Sequence, residues 1–126
     1  MSREELPKRR ATVTLPVSYK KADGSKQTYI VSFGIAPDGK IKEWFCTSLK
    51  SGSDLQALLN DASIAVSIAL QTGTTMRELA DKFGERRAEG ENTGPPDSPL
   101  GAIARAGAAL EADEGYIKGL LIHPAE

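Results

Sequence analysis

Apolar and polar positions alternate with a period of two over the first third of the chain and with a helical period after residue 53. From Ala11 to Tyr19, Val13, Leu15, Val17 and Tyr19 occupy every second position, the pattern of a strand with one buried face. Ala22-Asp23-Gly24-Ser25 interrupts it, and Asp-Gly is a hairpin signal because both residues tolerate positive φ. The return strand, about residues 26–33, sets Tyr29, Val31 and Phe33 on one face. Pro37-Asp38-Gly39 marks a second turn, and Lys40 to Thr47 reads as a third strand with Ile41 and Phe45 on one side and Trp44 and Cys46 on the other. Short turns between successive strands predict an antiparallel meander with one face in water and the other under a helix.

That helix is predicted over residues 53–71. Leu55, Leu58, Leu59, Ala62, Ala65, Val66, Ala69 and Leu70 gather on one helical face, and Ile64 and Ile68 widen it in the second half. Ser53 with Gln56 has the spacing of a capping box, and Gly73 stands where a left-handed residue closes a helix. Thr75 to Phe83 predicts a shorter helix, with a Thr75–Glu78 capping box, an apolar stripe of Met76, Leu79, Ala80 and Phe83, and Gly84 as its end. TTMRELADKFG resembles the first helix of a helix-turn-helix, but the ERRAEGENTGPPDS that follows is too rich in Gly, Pro and charge to form a recognition helix. Residues 84–98 instead read as a long loop, a kind of segment that is usually functional or disordered. Ser98 as N-cap and Pro99 at the first helical position then start a helix over 98–112. Its small face, Ile103, Ala104, Gly107 and Ala108 below Leu100, is expected to lie close beside the long helix. Tyr116, Ile117, Leu120, Leu121 and Ile122 form a last apolar group, expected at the sheet edge or a dimer contact. The expected fold is α+β: a three-stranded antiparallel β-meander packed against a long central α-helix, followed by one short and one medium helix. Residues 1–10 read as a flexible basic arm, and 11–126 as a single domain of ordinary size.

Composition narrows the function classes. With 126 residues and a formal net charge of -1, there is neither room for a large catalytic barrel nor an overall pull toward nucleic acid or an anionic membrane. Cys46 is the single cysteine, so no internal disulfide and no multi-cysteine zinc site can form from this chain, which fits a reducing, cytoplasmic setting. No apolar run approaches the roughly 20 residues that span a bilayer, and the basic N-terminus lacks the apolar stretch of a signal peptide.

Two helix starts qualify as anion sites, because unpaired amides and the positive end of a helix dipole favour phosphate there. One is Ser51-Gly52-Ser53; the other is Thr93-Gly94-Pro95-Pro96-Asp97-Ser98, with Arg86 and Arg87 nearby to add charge-assisted hydrogen bonds. The bland alternative is ordinary caps with solvated arginines, and the Ser-Gly-Ser turn lacks the spacing of a P-loop. Trp44 has two readings, a packing residue or a stacking platform for a base. Cys46 has no neighbouring histidine to activate it. Glu111, Asp113 and Glu114 lack a histidine or cysteine at ligand spacing and read as solvated charge, and His123, the only histidine, has no triad partners. Neither a cofactor nor a metal is expected.

Taken in order, APDGKIKEWF, SGSDLQALLNDASIAVSIALQTG, TMRELADKF and TGPPDSPLGAIARA resemble the TSCPD domain, found at the C-terminal end of cobalamin-dependent ribonucleotide reductases and as small stand-alone proteins. The resemblance runs from about Tyr29 to Leu110. It departs at the family's signature, where Thr-Ser-Cys-Pro-Asp becomes Thr93-Gly94-Pro95-Pro96-Asp97 and the cysteine is lost. The Cys-x-x-Cys tail of the full-length reductases has no counterpart either. Such reductases use a radical cysteine and a redox cysteine pair, which one cysteine cannot supply. The resemblance therefore implies an accessory or regulatory module of deoxynucleotide metabolism that binds a nucleotide or docks on a reductase large subunit. The alternatives are a nucleic-acid-binding module using Lys8, Arg9, Arg10, Lys40, Lys42 and Trp44, and a small enzyme with Asp97 as base.

Overall fold

Strands β1 (Ala11–Lys20), β2 (Lys26–Ile35) and β3 (Ile41–Ser48) pair in that order as an antiparallel sheet. The structure, a computed structural model, describes residues 11–48 and 53–122; the basic arm at 1–10, Ser51, Gly52 and His123 lie outside the described residues. Both Asp-Gly turns form as the sequence requires, with Gly24 at φ 90° and Gly39 at φ 86°. Asp23 Oδ1 accepts from Ser25 N at 2.8 Å and Asp38 Oδ1 from Lys40 N at 2.9 Å, so each aspartate ties its own turn. Val13, Val17, Tyr29, Val31 and Phe33 are buried on one face. The other face carries hydroxyls, among them Thr14 and Ser32 bonded at 2.8 Å. Pro16 sits in the edge strand β1, where a missing N–H costs least.

The third strand corrects the sequence reading. Trp44 is fully buried and Cys46 buried, whereas Phe45 is 61% exposed. The reason is a bulge: Gly34 pairs with Glu43 but Ile35 pairs with Ile41, leaving Lys42 as an extra residue. One inserted residue reverses the alternation, so Ile41 and Trp44 share the inner face although their numbers differ by an odd step. Trp44 stands opposite Phe33, and the rings meet edge to face at a centroid distance of 6.2 Å.

Helix α1 (Asp54–Gln71) starts at Ser53, whose side chain accepts from Gln56 N, and ends through Gly73 at φ 117°. It lies on β3, the second edge of the sheet. Its buried side chains are Leu59, Ser63, Val66, Ser67, Leu70 and Gln71. The helix is deeper in its C-terminal half, as expected, but Leu55, Leu58, Ile64 and Ile68 are exposed, so of the expected apolar face only Leu59, Val66 and Leu70 are buried and Ile64 and Ile68 do not widen it. The polar residues are inside because they serve the edge strand. Ser67 Oγ accepts from Trp44 N at 3.0 Å, and Gln71 Nε2 donates to the Lys42 carbonyl at 3.1 Å. Backbone groups that an edge strand turns outward are thus satisfied by side chains of the helix that covers it.

Helix α2 (Met76–Lys82) has the predicted capping box between Thr75 and Glu78. Helix α3 (Pro99–Ala112) has Ser98 as N-cap and Pro99 at its first position, as predicted. It packs on α2 and β1, not on α1 as expected. Close approach on its small face is real: a Cβ on Gly107 would lie 3.0 Å from both Met76 Sδ and the Phe33 ring. The neighbour differs because α1 is committed to the β3 edge, leaving the β1 side of the inner face to α3. The tail forms a fourth helix, α4 (Glu114–Ile122), and buried Ile117 lies against the Gly39 turn.

Candidate functional site

Residues 84–98 fold back on themselves as a narrow closed loop. Arg86 N donates to the Pro95 carbonyl at 2.8 Å and Asp97 N to the Gly84 carbonyl at 2.9 Å, with Glu85 bridged to Pro96. Gly94 makes this closure possible, since a Cβ there would fall 1.7 Å from the Arg86 carbonyl oxygen. No other residue type fits between the two limbs.

Tyr19 at the end of β1 clasps the loop. Its hydroxyl donates to the Asp97 carbonyl at 3.2 Å and accepts from Arg86 Nη1 at 3.3 Å. The Arg86 guanidinium carbon is 5.7 Å from the Tyr19 ring centroid, and Arg86 Nη2 donates to the Lys20 carbonyl. Arg86 Nη1 also reaches Asp97 Oδ1 at 3.9 Å. Arg86 is therefore the loop's anchor to the sheet. Arg87 Nε and Arg105 Nη2 each donate to a different oxygen of Glu85 at 2.7 Å. The bond from Arg87 holds the Glu85 carboxyl below the usual carboxylate range, with the Gly94 backbone and the Arg105 charge adding to it.

An open depression of about 590 Å³ lies beside this bracket. α2 contributes Arg77, Ala80 and Asp81; the loop contributes Glu85, Thr93 and Gly94; α3 contributes Arg105, Ala108, Ala109 and Ala112. Arg77 Nε is 3.5 Å from Asp81 Oδ1. A guanidinium carries five N–H donors, so Arg77 and Arg105 keep donors for a ligand after engaging their carboxylates. The lining is charge-balanced, each guanidinium being paired with a carboxylate beside it, so what it offers is spare N–H donors and a hydroxyl around an alanine floor, a surface for a hydrogen-bonding group attached to a flat apolar body.

Of the sequence candidates, Thr93 and Gly94 line this depression, and Pro95, Pro96 and Asp97 build the loop behind it. Ser98 Oγ is occupied as N-cap, accepting from Gly101 N at 3.1 Å. Ser53 caps α1 above the β3 edge, whereas the loop is clasped to the β1 edge. Arg77, Glu85 and Arg105 escaped the sequence reading. The only local signal was the i,i+4 spacing of Arg77 and Asp81; the Glu85–Arg105 pair spans 20 positions.

Burial of Trp44 removes it as a stacking platform: its indole Nε1 donates to Ser63 Oγ at 2.8 Å. Burial also pushes the Cys46 thiol up to about 11, the opposite of what a nucleophile needs. Glu111 Oε2 accepts from Ile41 N at 2.7 Å and thereby ties α3 to the sheet. Among the described residues no His, Cys, Asp and Glu side chains converge in a set of three able to hold a metal ion, and no helix is long and apolar enough to cross a membrane.

The profile of the TSCPD domain matches residues 4–109. A vitamin B12-dependent ribonucleotide reductase of Rhodopirellula baltica is 32% identical over 87 residues, 69% of this chain and 8% of that protein. The vitamin B12-dependent ribonucleotide reductase of Agrobacterium fabrum is 35% identical over 81 residues, 64% of this chain and 6% of that protein. That of Streptantibioticus cattleyicolor is 32% identical over 87 residues, 69% of this chain and 14% of that protein. The chain thus matches less than a sixth of the length of these curated relatives. No solved structure matches it.

Proposed function

The chain belongs to the TSCPD domain family, and on that premise we propose that it is an accessory module of deoxyribonucleotide metabolism, binding a nucleotide or docking on a ribonucleotide reductase without turnover of its own. The observation that carries the reading is the match of most of this chain to a small part of vitamin B12-dependent ribonucleotide reductases. A piece that recurs within a large enzyme is suited to act beside that enzyme's other parts. The depression between α2, α3 and the loop supports the reading. The spare N–H donors of its two carboxylate-paired guanidinium groups and its alanine floor suit the hydrogen-bonding and apolar parts of a nucleotide, or a polar surface of the reductase.

The proposed chemistry is recognition. Arg77 and Arg105 donate to the ligand through their spare N–H groups, Thr93 adds a hydroxyl, and the bracketed Glu85 fixes the direction of Arg105. Asp97 serves the loop, with its carbonyl bonded to Tyr19 and its carboxylate near Arg86. Calorimetry with nucleoside di- and triphosphates, together with pull-down of a vitamin B12-dependent reductase, tests the proposal. Saturable binding in either is expected; silence in both removes the idea.

A further inference from the structure

The two edges of the sheet are finished differently. At β3, Trp44 N donates to Ser67 Oγ, and the Cys46 and Lys42 carbonyls accept from Gln56 and Gln71, so α1 answers the outward row of backbone groups. The same bonds fix the phase of the whole sheet. Trp44 turns its backbone to α1, so its partner Phe33 bonds instead with Val13 of β1, because directly opposed residues alternate between bonded and unbonded pairs. Odd-numbered residues of β1 therefore spend their backbone groups on β2, a phase that the bond from Lys21 N to the Ser25 carbonyl continues into the turn. Thr12, Thr14, Pro16, Ser18 and Lys20 turn theirs to the open side. The Lys20 carbonyl is met there by Arg86 Nη2. Among the described residues, no bond reaches the outward backbone of Thr12, Thr14, Pro16 or Ser18.

We infer that Pro16 guards this edge and keeps β1 from pairing with β1 of a second copy. A twofold axis joins two edge strands antiparallel. Any such register that uses more of the strand than Thr12 and Thr14 sets Pro16 opposite Thr12, Thr14, Ser18 or its own counterpart. There the ring puts its Cδ where the facing carbonyl would receive an N–H, so a bond is lost and the strands are held apart. The rest of the strand invites pairing: ATVTLPVSYK is rich in β-branched residues and carries a single charge, Lys20. Proline at 16 takes no bond from the monomer, since an N–H there would point to water. Arg86 closes the far end of the edge by occupying the Lys20 carbonyl, so the loop's anchor and the proline divide the guarding of β1 between them.

Pro16→Thr in the full chain, followed by analytical ultracentrifugation from micromolar to millimolar protein, tests the inference. The variant is expected to dimerise reversibly, at least tenfold more tightly than the native protein. Adding Thr14→Pro moves the gap to the neighbouring outward position and is expected to return the chain to the native association state. In the dilute native protein, amide exchange is expected to be at least tenfold faster at Thr12, Thr14 and Ser18 than at Val13 and Val17. A Pro16→Thr chain that associates no more tightly than the native one overturns the inference. So does a dimer that Thr14→Pro leaves intact, or protection of Thr14 equal to that of Val13. Threonine at 16 removes no ladder bond, and unchanged melting of the dilute variant separates strand pairing from misfolding.

Discussion

Trp44 and Ser63 are joined by a 2.8 Å hydrogen bond from the indole Nε1 to the serine hydroxyl, at a place where both are buried. It explains why a serine faces inward on a helix rich in leucine and isoleucine. An indole N–H left without a partner in the core costs about 1–3 kcal/mol. Ser63→Ala is therefore expected to destabilise the protein by about that amount, read from the midpoint of urea unfolding followed by fluorescence of Trp44, the only tryptophan. Ile64→Ser, one residue along on the exposed side, is expected to change stability by less than about 0.5 kcal/mol.

Gly94 and Arg86 set the second expectation. A Cβ 1.7 Å from a carbonyl oxygen cannot be accommodated by rotating a side chain, so Gly94→Ala forces the limbs of the loop apart. A loss of about 1–3 kcal/mol, the usual cost of overpacking, is expected in thermal melts, with faster amide exchange over residues 84–98. Gly90→Ala has open space around its Cβ but sits at φ +83°. It is expected to cost only its backbone strain, about 1–2 kcal/mol, and to leave exchange at Arg86 and Asp97 unchanged.

The clasp gives a local effect with little global one. Tyr19→Phe removes the hydroxyl shared by Asp97 and Arg86, a loss of about 0.5–1.5 kcal/mol. Limited proteolysis is expected to cut within residues 84–98 sooner in this variant, while the melting of the sheet moves little. Equal protease resistance contradicts the clasp.

Cys46 makes stability fall at alkaline pH. Its thiol titrates near 9 when solvated and near 11 when folded, because burial disfavours the thiolate. Below about pH 9 both states hold the proton and the contribution is complete; between 9 and 11 only the unfolded chain ionises. The stabilisation drains away over that window as pH rises. Urea midpoints from pH 8 to 11 are expected to fall more steeply for the native protein than for Cys46→Ala, and thiol reagents at pH 8 are expected to modify Cys46 only on unfolding.

Much of the fold was legible. The β1 and β2 alternation, the Asp-Gly turns at Gly24 and Gly39, and the caps at Ser53, Thr75 and Ser98 are local, and local chemistry is written in neighbouring residues. The reversed face of β3 was not, because the bulge at Lys42 depends on how β3 registers with β2. Nor was the inner face of α1: Ser63, Ser67 and Gln71 are buried to serve the backbone and indole of a strand some 20 to 30 residues earlier. At the site, Thr93 and Gly94 could be picked out by resemblance and turn chemistry. Arg77 and Arg105 could not, because only the packing of α3 on α2 brings them to one depression.

The central claim is recognition of a nucleotide or a reductase at the depression between α2, α3 and the loop. Calorimetric titration of this protein with nucleoside triphosphates and, in the same series, with a purified vitamin B12-dependent ribonucleotide reductase tests it most directly. Saturable heat with at least one titrant, reduced at least tenfold by Arg77→Ala together with Arg105→Ala, is the expected result. No heat with either, or binding that the double variant leaves intact, contradicts it.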